Sequence, residues 1–342
     1  MQDARGNDVG VRGAETPVDA GQGGRGSRPM RPWRTSAGAW ILAIIAGACL
    51  LSLPWSCGAV KPAGGGGQVP RYEAGDYANA LQPPWWWPGA SAEGGRWWLG
   101  TDRQGRDVLA RCLAGGAVSL LIGLSAAALT VAIGTAYGLM AGYAGGRTDA
   151  LMMRVVDILF GLPTMLLVVL LAVGADGMME RLGASDRPGA RATLNLGVLL
   201  IAIGGVSWLT MARVIRGQVL SLRGRPFMEA CRALGVPRRR QLLLHLLPNL
   251  VGPMVVYAAL AVPAAILSES FLSFLGIGVR PPVPSWGNLA ADGLPELNLV
   301  HSRWWLLLFP CLLVGVTLLS LNFIADRLRE RLDPAARGRV PA

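Results

Sequence analysis

The sequence predicts an all-α polytopic membrane protein with six transmembrane helices and a short helix on the polar loop between the fourth and fifth. Three observations carry this. Of 342 residues, 52% are hydrophobic, and mean hydropathy is +0.41. The apolar residues come in long uncharged blocks close to the ~20 residues that a bilayer-spanning helix needs. The stretch 223–248, between two such blocks, is Arg-rich and fully punctuated as a helix, with Pro at its start and Gly and Pro at its end.

Composition also excludes several function classes. The net charge of +11 would suggest a polyanion in a soluble chain. Here the arginines cluster at the ends of apolar spans, as orientation signals do, so nucleic acid is not an expected partner and the lipid bilayer is. Lys61 is the sole lysine and Pro62 follows it, so the chain has no Gly-Lys-Ser/Thr phosphate loop. No cofactor is expected on this chain; any ATP and Mg would be held by another polypeptide. The five cysteines contain no CxxC pair, and His245 and His301 stand apart, so no metal site or disulfide framework is expected. No catalytic residues are assigned, because no paired carboxylates or Ser-His-Asp grouping lies on a span.

In chain order, residues 1–38 are rich in Gly, Arg and Pro and read as a disordered tail rather than a cleavable signal. The first span is 39–55, with Trp33, Trp40 and Trp55 as interfacial anchors. Residues 56–111 form an extramembrane loop with a Gly run at 64–67, and its Trp85-Trp86-Trp87 cluster is expected to lie flat at the membrane surface. The core, 112–325, holds the other five spans: 112–146, 158–175 with Pro163 inside it, 192–212, 248–268 and 304–325. Gly115, Gly116, Ser119, Gly123, Ala127, Gly134 and Gly138 would let the second span approach its neighbours closely. Residues 142–149 read as a turn, 176–191 as a polar loop and 326–342 as a charged tail. Segments on the side of the N-terminus hold 21 Lys and Arg against 11 on the other, which puts both termini and the 223–248 loop in the cytoplasm.

Within that loop, Pro226 suits a first helical turn and Gly235 the left-handed position past the end, with Pro237 blocking continuation. Phe227, Ala230, Cys231 and Leu234 fall at i, i+3, i+4 and i+7, one apolar face flanked by Arg225 and Arg232. So short a helix needs a partner surface, and an apolar ridge with a basic rim suits insertion into a groove.

Five stretches resemble one family. Glu229-Ala230, Gly235 and Leu247-Pro248 are similar to the EAA signature of ABC importer permeases, with Cys231 where a second Ala is usual and His245 where Ile is usual. Leu99-Gly100-Thr101-Asp102 through Arg111 resembles the LGTD-x-x-GRDVLSR segment of the dipeptide, oligopeptide and nickel branch, with Ala110 for Ser. Gly142 to Asp149, Ser270 to Asn288 and Asp326 to Pro334 are similar to further blocks of that branch. The fold implied is six spans with a cytoplasmic coupling helix at 226–235. Pro226, Phe227, Glu229, Ala230, Cys231, Leu234, Gly235 and Pro248 would then engage the ATPase.

The partners implied are a second permease subunit, one or two ABC ATPase subunits and a soluble substrate-binding protein. The setting implied is a bacterial inner membrane. Peptides are the default cargo, with nickel chelates or another small solute as the alternative. Glu269, at the predicted end of the fifth span, is a candidate for the pathway or outer gate. A self-sufficient channel or ion-coupled carrier would need ionisable or broken-helix sites at mid-span, and the spans offer only Pro163, Pro263 and Pro310. An intramembrane enzyme or a membrane anchor has no catalytic grouping to support it.

Overall fold

The computed structural model describes residues 32–62, 67–88, 96–181, 188–298 and 302–332. The predicted tail up to residue 31, most of the Gly run, His301 and the chain beyond Leu332 lie outside them. Helix α1 (Pro32–Leu51) and the short α2 (Leu53–Ser56) lead into a two-stranded antiparallel ribbon, β1 (Ala59–Val60) with β2 (Val69–Pro70). Then follow α3 (Val108–Ala144), α4 (Gly146–Phe160), α5 (Thr164–Arg181), α6 (Pro188–Arg223) and α7 (Pro226–Ala233). A turn, α8 (Arg238–Arg240), runs through a π-helical stretch, Gln241–Leu246, into α9 (Leu247–Phe274). Helices α10 (Trp286–Gly293) and α11 (Trp305–Leu332) complete the order.

Among the described residues, five helices are long and apolar enough to cross a membrane, and α4 with α5 makes a sixth if the bent pair is one span. The all-α polytopic fold therefore stands, and its third span needs correction. It is not one helix through 158–175: α4 and α5 meet at 86°, broken at Gly161-Leu162-Pro163. Pro163 immediately precedes α5 instead of kinking a continuous helix, and α4 carries Arg147, Asp149, Arg154 and Asp157, too many charges to lie in hydrocarbon.

Other boundaries move outward. Helix α1 begins inside the predicted tail, α3 starts at Val108 and not at Cys112, and α6 continues to Arg223. The predicted turn at 142–149 narrows to a break at Gly145, because α3 runs to Ala144 and α4 starts at Gly146. Helix α9 continues six residues beyond Ser268, and α11 runs to Leu332 past the predicted end at Ala325. Helices need not stop at the membrane face when a polar partner awaits them. Arg216 of α6 donates through Nε and Nη2 to the two Asp149 carboxylate oxygens of α4 at 2.6 Å, and Arg213 meets Asp157 at 2.8 Å.

The centre of the bundle is the α3–α6 pair, flanked by α9. Ile122 and Ala126 of α3 pack with Leu199, Ala202, Ile203 and Val206 of α6, and farther along Leu139 packs with Met211, Ile215 and Val219. The approach is as close as the small residues of α3 permit. A Cβ on Gly138 would lie 2.5 Å from the Ala212 carbonyl oxygen, and one on Gly134 would lie 2.5 Å from the Met211 Cβ.

Candidate functional site

Helix α7 lies across the end of α6, and its geometry follows from its punctuation. Pro226 stands in the first turn, and Gly235 has φ +67° just past the end. The Gly235 N–H donates to the Arg232 carbonyl at 3.0 Å and the Val236 N–H to the Cys231 carbonyl at 3.0 Å. Those two bonds close a Schellman motif and satisfy the last carbonyls of the helix. The same device ends α9, where Gly276 at φ +79° lets Ile277 donate back to Leu272 and Gly276 to Ser273.

The expected apolar ridge is corrected by the packing. Its four members do not share one exposed face: Phe227 and Cys231 are half-buried, whereas Ala230 is exposed and Leu234 is 81% exposed. The anchor is Met228, 0% exposed, which the spacing rule passed over and which packs with Leu222 and Leu246. The outward face of α7 is therefore Pro226, Glu229, Ala230 and Leu234, rimmed by exposed Arg225 and Arg232. Pro248 lies exposed at the second position of α9, separated from α7 by the intervening turn and the π-helical stretch.

Polar ties fix α7 to the bundle. Arg232 donates to the Arg223 carbonyl at 3.0 Å, and Arg223 donates to the Gly142 carbonyl at the end of α3 at 3.0 Å. Buried Gln241, at the start of the π-helical stretch, accepts from the Tyr143 hydroxyl at 3.0 Å and donates to the Val236 carbonyl at 2.7 Å. Tyr143 belongs to α3 and Val236 to the cap of α7, so one glutamine joins the long central helix to the short exposed one. Sequence reasoning missed both residues; a polar side chain entering an apolar run was the available signal.

The opposite end of the bundle is a second polar assembly. Glu269 is 0% exposed, inside α9 and not at its end. It accepts from Ser119 of α3 at 2.8 Å and from Ser273 at 2.7 Å. The Ser119 oxygen also accepts the Trp286 N–H at 3.3 Å, and the Trp286 indole donates to the Cys112 carbonyl at 2.9 Å. Ser285 and Asn288 form a capping box on α10, and Asn288 also donates to the carbonyls of Val279 and Val283. The stretch from Ser270 to Asn288 is thus pinned at nearly every turn, which accounts physically for its composition.

Beside it, residues 99–111 form a salt-bridged turn. Asp102 accepts the N–H groups of Gln104 and Arg106 at 2.9 Å, and its carboxylate meets Arg106 at 2.7 Å and Arg111 at 2.6 Å. Glu296 holds Arg103 and Arg303 in the same region. Burial works against its charge, yet hydrogen bonds from Arg303 and Arg103 keep the carboxyl below its ordinary range.

The comparisons with known proteins bear on the chain as a whole. Residues 134–338 match the family model described as the binding-protein-dependent transport system inner membrane component. An oligopeptide transport system permease protein of Haemophilus influenzae is 46% identical over 239 residues, 70% of each chain. A dipeptide transport system permease protein of Bacillus subtilis is 41% identical over 240 residues, 70% of this chain and 69% of that one. An oligopeptide permease protein of Escherichia coli is 45% identical over 240 residues, 70% of this chain and 73% of that one. The family match spans α7 and the α9–α11 end together, and so the chain belongs to the inner membrane components of binding-protein-dependent transport systems, as a multi-pass permease.

Proposed function

We propose that this permease forms half of the translocation pathway of an ATP-driven importer of di- or oligopeptides. A soluble binding protein delivers the peptide, and a second permease subunit completes the pathway. Hydrolysis takes place on one or two separate ATPase chains, which hold the ATP and Mg. In this reading the α7 segment and both termini are cytoplasmic, supported by the excess of arginine in the segments assigned to that side. The peptide cargo follows from the relatives named oligopeptide and dipeptide permeases.

The observation that carries this reading is the outward face of α7. Two exposed apolar side chains, Ala230 and Leu234, stand with Glu229 on a capped helix braced to α3 and α6. A knob of this kind transmits a push from a soluble partner without deforming. Glu229, near the helix N-terminus, is favoured by the helix dipole.

The test is purification of the tagged chain from its own host in mild detergent, with mass spectrometry of what accompanies it. A second six-span permease and an ATPase bearing a phosphate loop are expected. Recovery of a stable homo-oligomer alone would overturn the reading in favour of a channel or carrier.

A further inference from the structure

A groove of about 370 Å³ opens between α3, α6, α9 and the α4–α5 elbow. Its lining carries the hydroxyls of Thr130, Thr164, Ser207, Thr210, Tyr257 and Ser268, and no charged side chain. Ser207 and Ser268 turn back onto their own helices, donating to the carbonyls of Ile203 at 2.8 Å and Ala264 at 2.9 Å. The hydroxyls of Thr130, Thr164, Thr210 and Tyr257 have no hydrogen-bond partner among the described residues.

Four hydroxyl-bearing residues of α3, α5, α6 and α9 without a side-chain partner among the described residues line one concavity, and such groups are unfavourable against hydrocarbon. Surfaces elsewhere on the bundle are of the lipid-facing kind, with Leu121, Leu124, Leu170 and Ile201 all exposed. A groove lined in this way suits water or cargo better than hydrocarbon. Its remaining walls, such as Val206, Leu260 and Ala264, are apolar and smooth. Behind the lining residue Phe160, Arg213 stacks its guanidinium over the ring at 4.0 Å and pairs with Asp157.

A hydroxyl both donates and accepts, so it can bond a peptide N–H or a peptide carbonyl. Without an acid or a base, the groove has no means of sorting side chains by charge. We propose that Thr130, Thr164, Thr210 and Tyr257 form this subunit's share of the passage and recognise the backbone amides of a peptide, whatever its side chains carry. This rests on the peptide-importer reading above.

The test uses the complete importer, with its partner chains and binding protein, in proteoliposomes supplied with tri-alanine, tri-lysine or tri-glutamate. Thr210→Asp should cut tri-glutamate uptake on the order of tenfold relative to wild type while tri-lysine stays within about threefold. Thr210→Ser should keep all three. Equal loss for the three peptides, or no loss, would overturn the proposal, as would a wild type that imports none of them. A second arm needs no substrate. With Cys57, Cys231 and Cys311 replaced by Ser, a charged methanethiosulfonate should label T210C and Y257C at least about tenfold faster than the lipid-facing control L170C. Equal rates would sink the groove itself. Fast labelling without any peptide uptake would leave a wet groove and refute the peptide reading, so the two failures are distinguishable.

Discussion

Glu269 of α9 and Ser119 of α3 meet at 2.8 Å inside the bundle, and the same Ser119 oxygen receives the Trp286 N–H of α10. One hydroxyl thus joins three helices around a carboxyl group whose hydrogen-bond partners include Ser119, Ser270 and Ser273. Replacement by Leu would leave the hydroxyls of Ser119 and Ser273 without their acceptor and should cost on the order of 2–3 kcal/mol. Glu269→Gln keeps an acceptor oxygen and should lose less than half of that. Thermal stability of the purified chain in detergent, with the two variants side by side, checks the order; equal loss would mean that the hydrogen bonds contribute little.

The α3–α6 contact makes a steric prediction. Since a Cβ on Gly138 would sit 2.5 Å from the Ala212 carbonyl oxygen, Gly138→Val must push the two helices apart. The expected cost is about 1–3 kcal/mol, the usual range for overpacking. Gly217 has open space at the same atom, so Gly217→Ala serves as the control that should leave stability unchanged or slightly raised. Detergent melting temperatures of the two variants separate the outcomes.

Glu296 gives a pH dependence. Its carboxyl is held below the ordinary value of 4.5, so the ionised form adds stability that is fully present above that value. The contribution disappears as pH falls through the lowered folded value. Acid titration of the purified chain should therefore show a loss of stability below about pH 4.5 that Glu296→Gln removes. The partners Arg103 and Arg303 are partly exposed, so salt should weaken the effect.

Much of this was legible beforehand, and the misses share a cause. Runs of uncharged residues reveal spans because hydrocarbon excludes charge, and Pro226 and Gly235 reveal α7 because backbone geometry is local. Period alone could not say which face of so short a helix turns inward. That depended on where α6 ends, eleven residues beyond the predicted exit at Ala212, which set Met228 and not Leu234 against the core. The elbow was missed for the reverse reason. Pro163 inside an apolar stretch is compatible with a kinked span, and only the aspartates of α4, Asp149 and Asp157, paired with Arg216 and Arg213 of a helix distant in sequence, decide for a break.

Gly235 offers the most direct test of the α7 cap. Nothing lies within 4 Å of a Cβ built there, so any penalty is conformational, arising from φ +67°. Gly235→Ala should cost roughly 1–2 kcal/mol locally and Gly235→Val more, whereas Gly235→Asn should be mild. Membrane insertion should be unchanged in all three. If α7 couples to an ATPase, uptake by the reconstituted importer should fall in the order Asn, Ala, Val, with basal ATP hydrolysis retained. Normal uptake with Gly235→Val would count against that role.

Tyr143 and Gln241 complete the connection from the α7 cap to the centre of the bundle. The bond between them is 3.0 Å, and Gln241 reaches on to the Val236 carbonyl at 2.7 Å. Tyr143→Phe removes one hydroxyl and keeps the ring beneath the Arg223 guanidinium, so it should cost only about 1 kcal/mol of stability. Gln241→Leu also frees the Val236 carbonyl and should cost more. A brace that only supports the fold would show these losses in melting temperature alone. A brace that carries motion should lower peptide uptake per ATP hydrolysed, and the double variant should be no worse than Gln241→Leu, because both remove the same link. Measured coupling ratios that add independently would show that α7 moves the core by another route, with the Arg232–Arg223–Gly142 chain as the next to cut.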